Sequence, residues 1–234
     1  MTERWIVNNQ NQLLEARDIS HQPRNPLIRN IARFISFVIH PLFVPVYLAW
    51  FLISTQPYLF SAFSPVEKWI TLARFFMMYS FFPLVTVLLA KALGFLDSIY
   101  LRTQKERIIP YIACGIYYFW MSYVLRNQPR FSHEIVQLSM AIFIASFLGL
   151  MLNINMKVSM HAISMGILSA FMTRQAVIMG SGYTLFLSVS FLVAGLVCTS
   201  RFIISDHSPR EVYAGLFVGG LSQLLAVWAD GILP

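Results

Sequence analysis

Three short runs carry the groups that could do chemistry in this 234-residue chain. The first is Arg102, Lys105 and Arg107. The second is Lys157-Val158-Ser159-Met160-His161. The third is Ser200-Arg201, then, after five residues, His207-Ser208-Pro209-Arg210-Glu211. Two histidines and several cations, without a matching excess of carboxylates, suit an anion, and phosphate is the obvious anion in a lipid setting. Imidazole near neutral pH can serve as nucleophile, acid or base, and guanidinium or ammonium groups can hold phosphoryl oxygens. Ser208-Pro209-Arg210-Glu211 reads as a helix start, with Ser as cap, Pro in the first turn and Glu three residues beyond the cap. His207 would then sit at the positive end of a helix dipole, a ready anion site. Ser159 is placed to cap a second helix toward the same place. Glu211 has two roles open to it, capping the helix or orienting the His207 imidazole. Asp206 is either a second partner for that imidazole or a turn residue. His40, beside Pro41, reads as a kink residue rather than a catalytic one, and His21 and His133 as solvated loop residues. No spacing fits a metal site, so neither metal nor cofactor is expected. Cys114 and Cys198 lie in apolar blocks and read as small buried hydrophobes.

The elements that must position these groups are apolar. Hydrophobic residues make up 57% of the chain and charged residues only 12%, with mean hydropathy +0.65; a soluble domain carries about 25% charged residues. The net charge of +7 is spread over tail and loops, with no basic patch interleaved with exposed aromatics. Nucleic acid is therefore excluded as a partner, and anionic lipid head groups are favoured. Residues 1–33 form a polar N-terminal tail, and 34–234 a single membrane domain. Seven apolar segments fall near 34–53, 69–90, 108–125, 135–152, 158–178, 183–200 and 212–228, each close to the ~20 residues that cross a bilayer as a helix. The expected fold is all-α: a polytopic transmembrane helical bundle of six core spans plus a first segment that His40-Pro41 and Pro45 make either kinked or re-entrant. Two crossings separate each chemical run from the next, so all three lie at one face of the membrane. Gly215 and Gly219 form a GxxxG spacing that suits either packing within the chain or a homo-oligomer seam.

Ser200-Arg201-x5-His207-x3-Glu211 resembles the third motif of the type-2 phosphatidic-acid phosphatase and vanadium haloperoxidase superfamily, in which Asp stands where this chain has Glu211. Val212-Tyr213-Ala214-Gly215 resembles its continuation. Ser159-Met160-His161 resembles the second motif, Ser-Gly-His, with Met160 in place of glycine. The first motif, Lys, six residues, Arg-Pro, is absent; Arg107-Ile108-Ile109-Pro110 with Lys105 or Arg102 stands in its place. The resemblance covers about residues 100–220. It implies a metal-independent phosphatase or pyrophosphatase in which His207 attacks phosphorus and becomes a phospho-histidine. Glu211 would orient that imidazole and His161 would protonate the leaving lipid oxygen. Arg201, Ser159, Arg107, Lys105 and Lys157 would surround the phosphoryl oxygens.

The departures from the motifs support an alternative, a non-catalytic relative that binds or carries an anionic lipid. A small secondary transporter would show repeat symmetry between halves, and none is visible. The expected location is the bacterial inner membrane, with the site on the periplasmic face by resemblance. Positive charge does not decide the side. Without Arg102, Lys105, Arg107, Lys157, Arg201 and Arg210, the two faces carry nearly equal numbers of cations.

Overall fold

Capping residues and prolines set most of the helix starts. Asn25 accepts from the Leu27 amide at 2.9 Å and opens α1 (Pro26–Val38). Pro45 lies in the first turn of α2 (Val44–Thr55). Ser64 and Glu67 close a capping box on α3 (Pro65–Phe76), and Thr103 and Glu106 close another on α5 (Gln104–Arg126). Between α3 and α4 (Phe82–Ala92) the helix widens to a π turn at Met77–Phe81, next to Pro83, which has no amide to give to a regular turn. The remaining helices are α6 (His133–Asn153), α7 (Met160–Met179), α8 (Thr184–Ile204) and α9 (Pro209–Ile232). A two-stranded antiparallel ribbon, β1 (Trp5–Val7) with β2 (Leu13–Glu15), precedes them. This computed structural model describes residues 25–99, 101, 103–204 and 207–232, and the backbone of 5–7 and 13–15.

Five helical stretches are long and apolar enough to cross a membrane, and α2 is a shorter apolar helix. One stretch, 160–204, reverses direction at Gly180–Tyr183, and α7 and α8 pack side by side across the turn. Gly180 takes φ +73° there, a value that costs glycine little. The segment expected at 34–53 divides at residues 39–43 into α1 and α2, and α1 starts at Pro26, inside the stretch expected to be a polar tail. Helix α2 lies between positions level with His161 and Gln175 of α7. Its start lies beside His40, which meets the ring of His161, and its end beside Gln56, which donates to Gln175 at 2.9 Å.

The core lies among α6, α7 and α9, with α5 against α6 and α8 against α7. Phe75, Tyr79, Phe171, Leu138 and Met165 are fully buried, whereas Leu192, Phe217 and Leu224 face outward, as lipid contact requires and water would penalise. Gly215 and Gly219 are spent inside the chain. A side chain at Gly219 would collide with the Ile163 carbonyl and Gly166 Cα of α7, and one at Gly215 would meet Ala162 and the Ser159 carbonyl. That stripe is the α7–α9 contact and is not free to serve as a seam with a second copy. The reason is that close backbone approach gives helices in lipid their packing energy.

Candidate active site at one end of the bundle

The N-termini of α5, α7 and α9 meet at one end of the bundle, with the C-termini of α1 and α8 beside them. Ser208 and Glu211 form the expected box: the Glu211 amide donates to Ser208 Oγ at 3.3 Å, and the Ser208 amide donates to Glu211 Oε2 at 2.9 Å. The same Oε2 accepts from His207 Nδ1 at 3.0 Å. The two roles open to Glu211 are therefore compatible, since one oxygen caps the helix and holds the imidazole. With its proton on Nδ1, His207 keeps the lone pair on Nε2.

Backbone contacts tie the second run to the third. The Ser159 amide donates to the Glu211 carbonyl at 3.3 Å, and Ser159 Oγ caps α7 by accepting from the Ala162 amide at 3.4 Å. Arg107 is buried and braces two loops, donating Nη1 to the Val158 carbonyl at 2.7 Å and Nε to the Leu101 carbonyl at 2.9 Å. Lys157 is half-buried and close enough to act on the charge of Glu211. Lys105 is exposed, two residues before Arg107 and so on a different face of α5. Arg102 and Asp206 lie outside the described residues.

Ser36 of α1 links the remaining two groups. His161 Nε2 donates to the Ser36 carbonyl at 3.1 Å, and Arg201 Nη1 donates to Ser36 Oγ at 3.1 Å. The His40 ring stands edge-on to that of His161, with centroids 5.2 Å apart. Nothing in the sequence marks Ser36, which is 125 residues from His161 and 165 from Arg201. His40 belongs to the cluster by position as well as to the break between α1 and α2.

Burial sets the protonation of these histidines. It holds His207 below the usual imidazole range, helped by the charges of Arg107 and Arg201 and opposed by the hydrogen bond to Glu211. His40 is pushed down to about 4, by burial first and then by Arg201. Both rings are neutral at pH 7. The described residues thus assemble a neutral imidazole with an oriented lone pair, a second imidazole and two guanidinium groups. Such a set can bind an anion and attack an electrophilic centre. Among the described residues, no group of three or more His, Cys, Asp or Glu side chains is placed to hold a metal ion.

No family model matches the chain, and no curated protein or solved structure matches it.

Proposed function

We propose that the chain is a membrane phosphatase acting without a metal on a lipid phosphate or prenyl pyrophosphate. The observation that carries this reading is the His207 Nδ1–Glu211 hydrogen bond set among Arg107, Arg201 and Lys157. Glu211 holds the imidazole so that Nε2 faces an incoming phosphoryl group. A bond forms from Nε2 to phosphorus as the bond from phosphorus to the lipid oxygen breaks. His161, in its protonated form, gives that oxygen its proton. Water then attacks the phospho-histidine, His161 takes the proton back, and the Nε2–phosphorus bond breaks to release phosphate. Arg201 offsets charge at the phosphoryl oxygens. Substrate must first displace Ser36 from His161 and Arg201.

In this reading the long helices α3–α4 and α5 through α9 make six spans and α2 a seventh, shorter passage. The N-terminus and the site then share one face, and the bacterial inner membrane with a periplasmic site suits the chemistry. In a cysteine-free background, cysteines at Arg33 and Lys105 are expected to label from one side of a vesicle and one at Gln128 from the other. Labelling of Arg33 with Gln128 would overturn this topology.

The catalytic test is phosphate release from phosphatidate, phosphatidylglycerol phosphate, prenyl pyrophosphate and lipid A phosphates in the presence of a chelator. Release is expected to be inhibited by vanadate and to pass through an acid-labile phosphoenzyme. Undiminished release by a folded His207→Ala protein would overturn it. A second reading, a lipid-binding relative without turnover, is favoured by the donors that Arg107 spends on the Leu101 and Val158 carbonyls. It predicts saturable binding of the same lipids and no release.

A further inference from the structure

Below the site, the seam between α5 and α6 opens toward the surrounding lipid. A groove of about 290 Å³ runs along it, lined by Tyr111, Gly115 and Phe119 of α5 and by Phe143, Ser146 and Phe147 of α6. Arg107, Tyr111, Gly115 and Phe119 recur every four residues and so lie on one stripe of α5. The groove therefore begins one turn from Arg107 and extends about 12 Å to Phe119, at 1.5 Å per residue. Gly115 keeps it open, because a Cβ there would meet only Ser146 Oγ, at 3.7 Å.

The head of the groove holds polar atoms that the protein does not satisfy. The Tyr111 side chain is buried, yet its hydroxyl has no hydrogen-bond partner among the described residues. That hydroxyl sits over Gly149, 3.1 Å from where a Cβ would be. One turn further along α6, toward the site, Asn153 donates to the Gln104 carbonyl at 2.8 Å, while its buried Oδ1 has no partner among the described residues. A buried hydroxyl without a partner costs about 1–3 kcal/mol, so an oxygen-bearing ligand here removes a penalty the protein otherwise carries. The order along the stripe is cation, hydroxyl, then apolar groove, which is the order of groups in a phosphorylated amphiphile.

We infer that the α5–α6 groove takes the hydrocarbon chain of the lipid phosphate, with the Tyr111 hydroxyl donating to the oxygen that joins chain to phosphorus. This rests on the phosphatase reading. Moving a chain from bilayer to groove gains no hydrophobic transfer energy, because both surroundings are apolar. The gain is placement, since a chain held on this stripe holds its phosphate against the cations rather than letting it drift in the headgroup layer.

The test uses the full chain in phosphatidylcholine vesicles, with hexadecyl phosphate and butyl phosphate as substrates. Gly115→Leu, which fills the groove, is expected to lower kcat/KM for hexadecyl phosphate on the order of tenfold and to leave butyl phosphate within twofold of wild type. Gly195→Leu, on an open outward face of α8 where a Cβ meets nothing, should change neither. A hexadecyl phosphate bearing a mid-chain diazirine should crosslink to α5 and α6 peptides in the wild type and not in Gly115→Leu, whether or not turnover occurs. Equal effects of Gly115→Leu on the two substrates with crosslinks elsewhere, or displacement of the probe by phosphatidylcholine as readily as by hexadecyl phosphate, would overturn the groove assignment. Crosslinking at the groove with no release from either substrate would overturn the phosphatase reading while keeping the groove.

Discussion

The two ends of the bundle both collect ionisable residues, but they balance them differently. At the end away from the site, Asp230 is buried and accepts from Gln137 Nε2 at 2.7 Å and His133 Nδ1 at 2.8 Å, with Arg126 at 3.9 Å. Arg130 pairs with Glu67 at 2.9 Å. Both of these carboxylates face a cation, and the contacts fasten α6 to α9 and the α5–α6 loop to α3. At the site end two carboxylates cap helices, Glu106 on α5 and Glu211 on α9, and Glu211 lies among Arg107, Arg201, Lys157 and three imidazoles. At the far end carboxylates tie helices together, whereas at the site end Glu211 holds an imidazole among cations. Charge near a helix end therefore does not by itself mark a site; what sets this end apart is an imidazole oriented by a carboxylate among several cations. His133, which reads in sequence as a solvated loop residue, is exposed yet bonded to Asp230.

The comparison breaks most sharply at the histidines. Replacing His207 by Ala is expected to lower phosphate release by about 10³-fold or more, whereas His133→Ala should leave release within twofold. If both variants retained activity, the ends would be functionally alike. The arginines come next. Arg201→Ala should cost about 10²-fold in kcat/KM, the scale of one lost charge-stabilising donor. Arg130→Ala removes an exposed, solvent-screened pair with Glu67 and should shift only the melting temperature, slightly.

Reversing the readout sharpens the same contrast. Asp230→Ala leaves buried donors without an acceptor and is expected to cost about 2 kcal/mol of stability, measured by denaturation in detergent, with kcat unchanged. The smallest effect is in pH dependence. Burial and the two arginines lower the His207 pKa, so its neutral, attacking form persists below pH 6.5 and the acid limb of kcat/KM lies below that value. Removing the Arg201 charge raises that pKa, so the acid limb of the residual Arg201→Ala activity should move up toward 6.5. The same lowering means that acidification through 6.5 also drains stability, because the unfolded chain takes up the proton first. A melting curve at each pH separates the two.

Much of the site was legible because its parts are local. Ser208, Pro209 and Glu211 specify their helix start through contacts three residues apart, and the His207–Glu211 bond spans four. Their meeting with Ser159 follows from counting apolar segments, since two crossings return the chain to the face it left. The break at His40-Pro41 was legible as well. Its outcome was not, because proline chemistry does not say whether the following helix crosses the bundle or turns back. Helix α2 leads away from His161, and its far end is held by Gln175 of α7 and Tyr183 of the turn after it.

What the sequence by itself determined is the apolar character of the helices, their caps and the gathering of His161, Arg201, His207 and Glu211 at one end. Only the tertiary structure decided that Ser36 holds His161 and Arg201, that Gly215 packs on Ala162 and Gly219 on Gly166, and that Tyr111 opens onto a groove. Periodicity and capping act within one or two turns and leave a trace in spacing. Contacts between residues 50 to 165 positions apart depend on which helix faces are driven together, and a single chain records that in no local pattern.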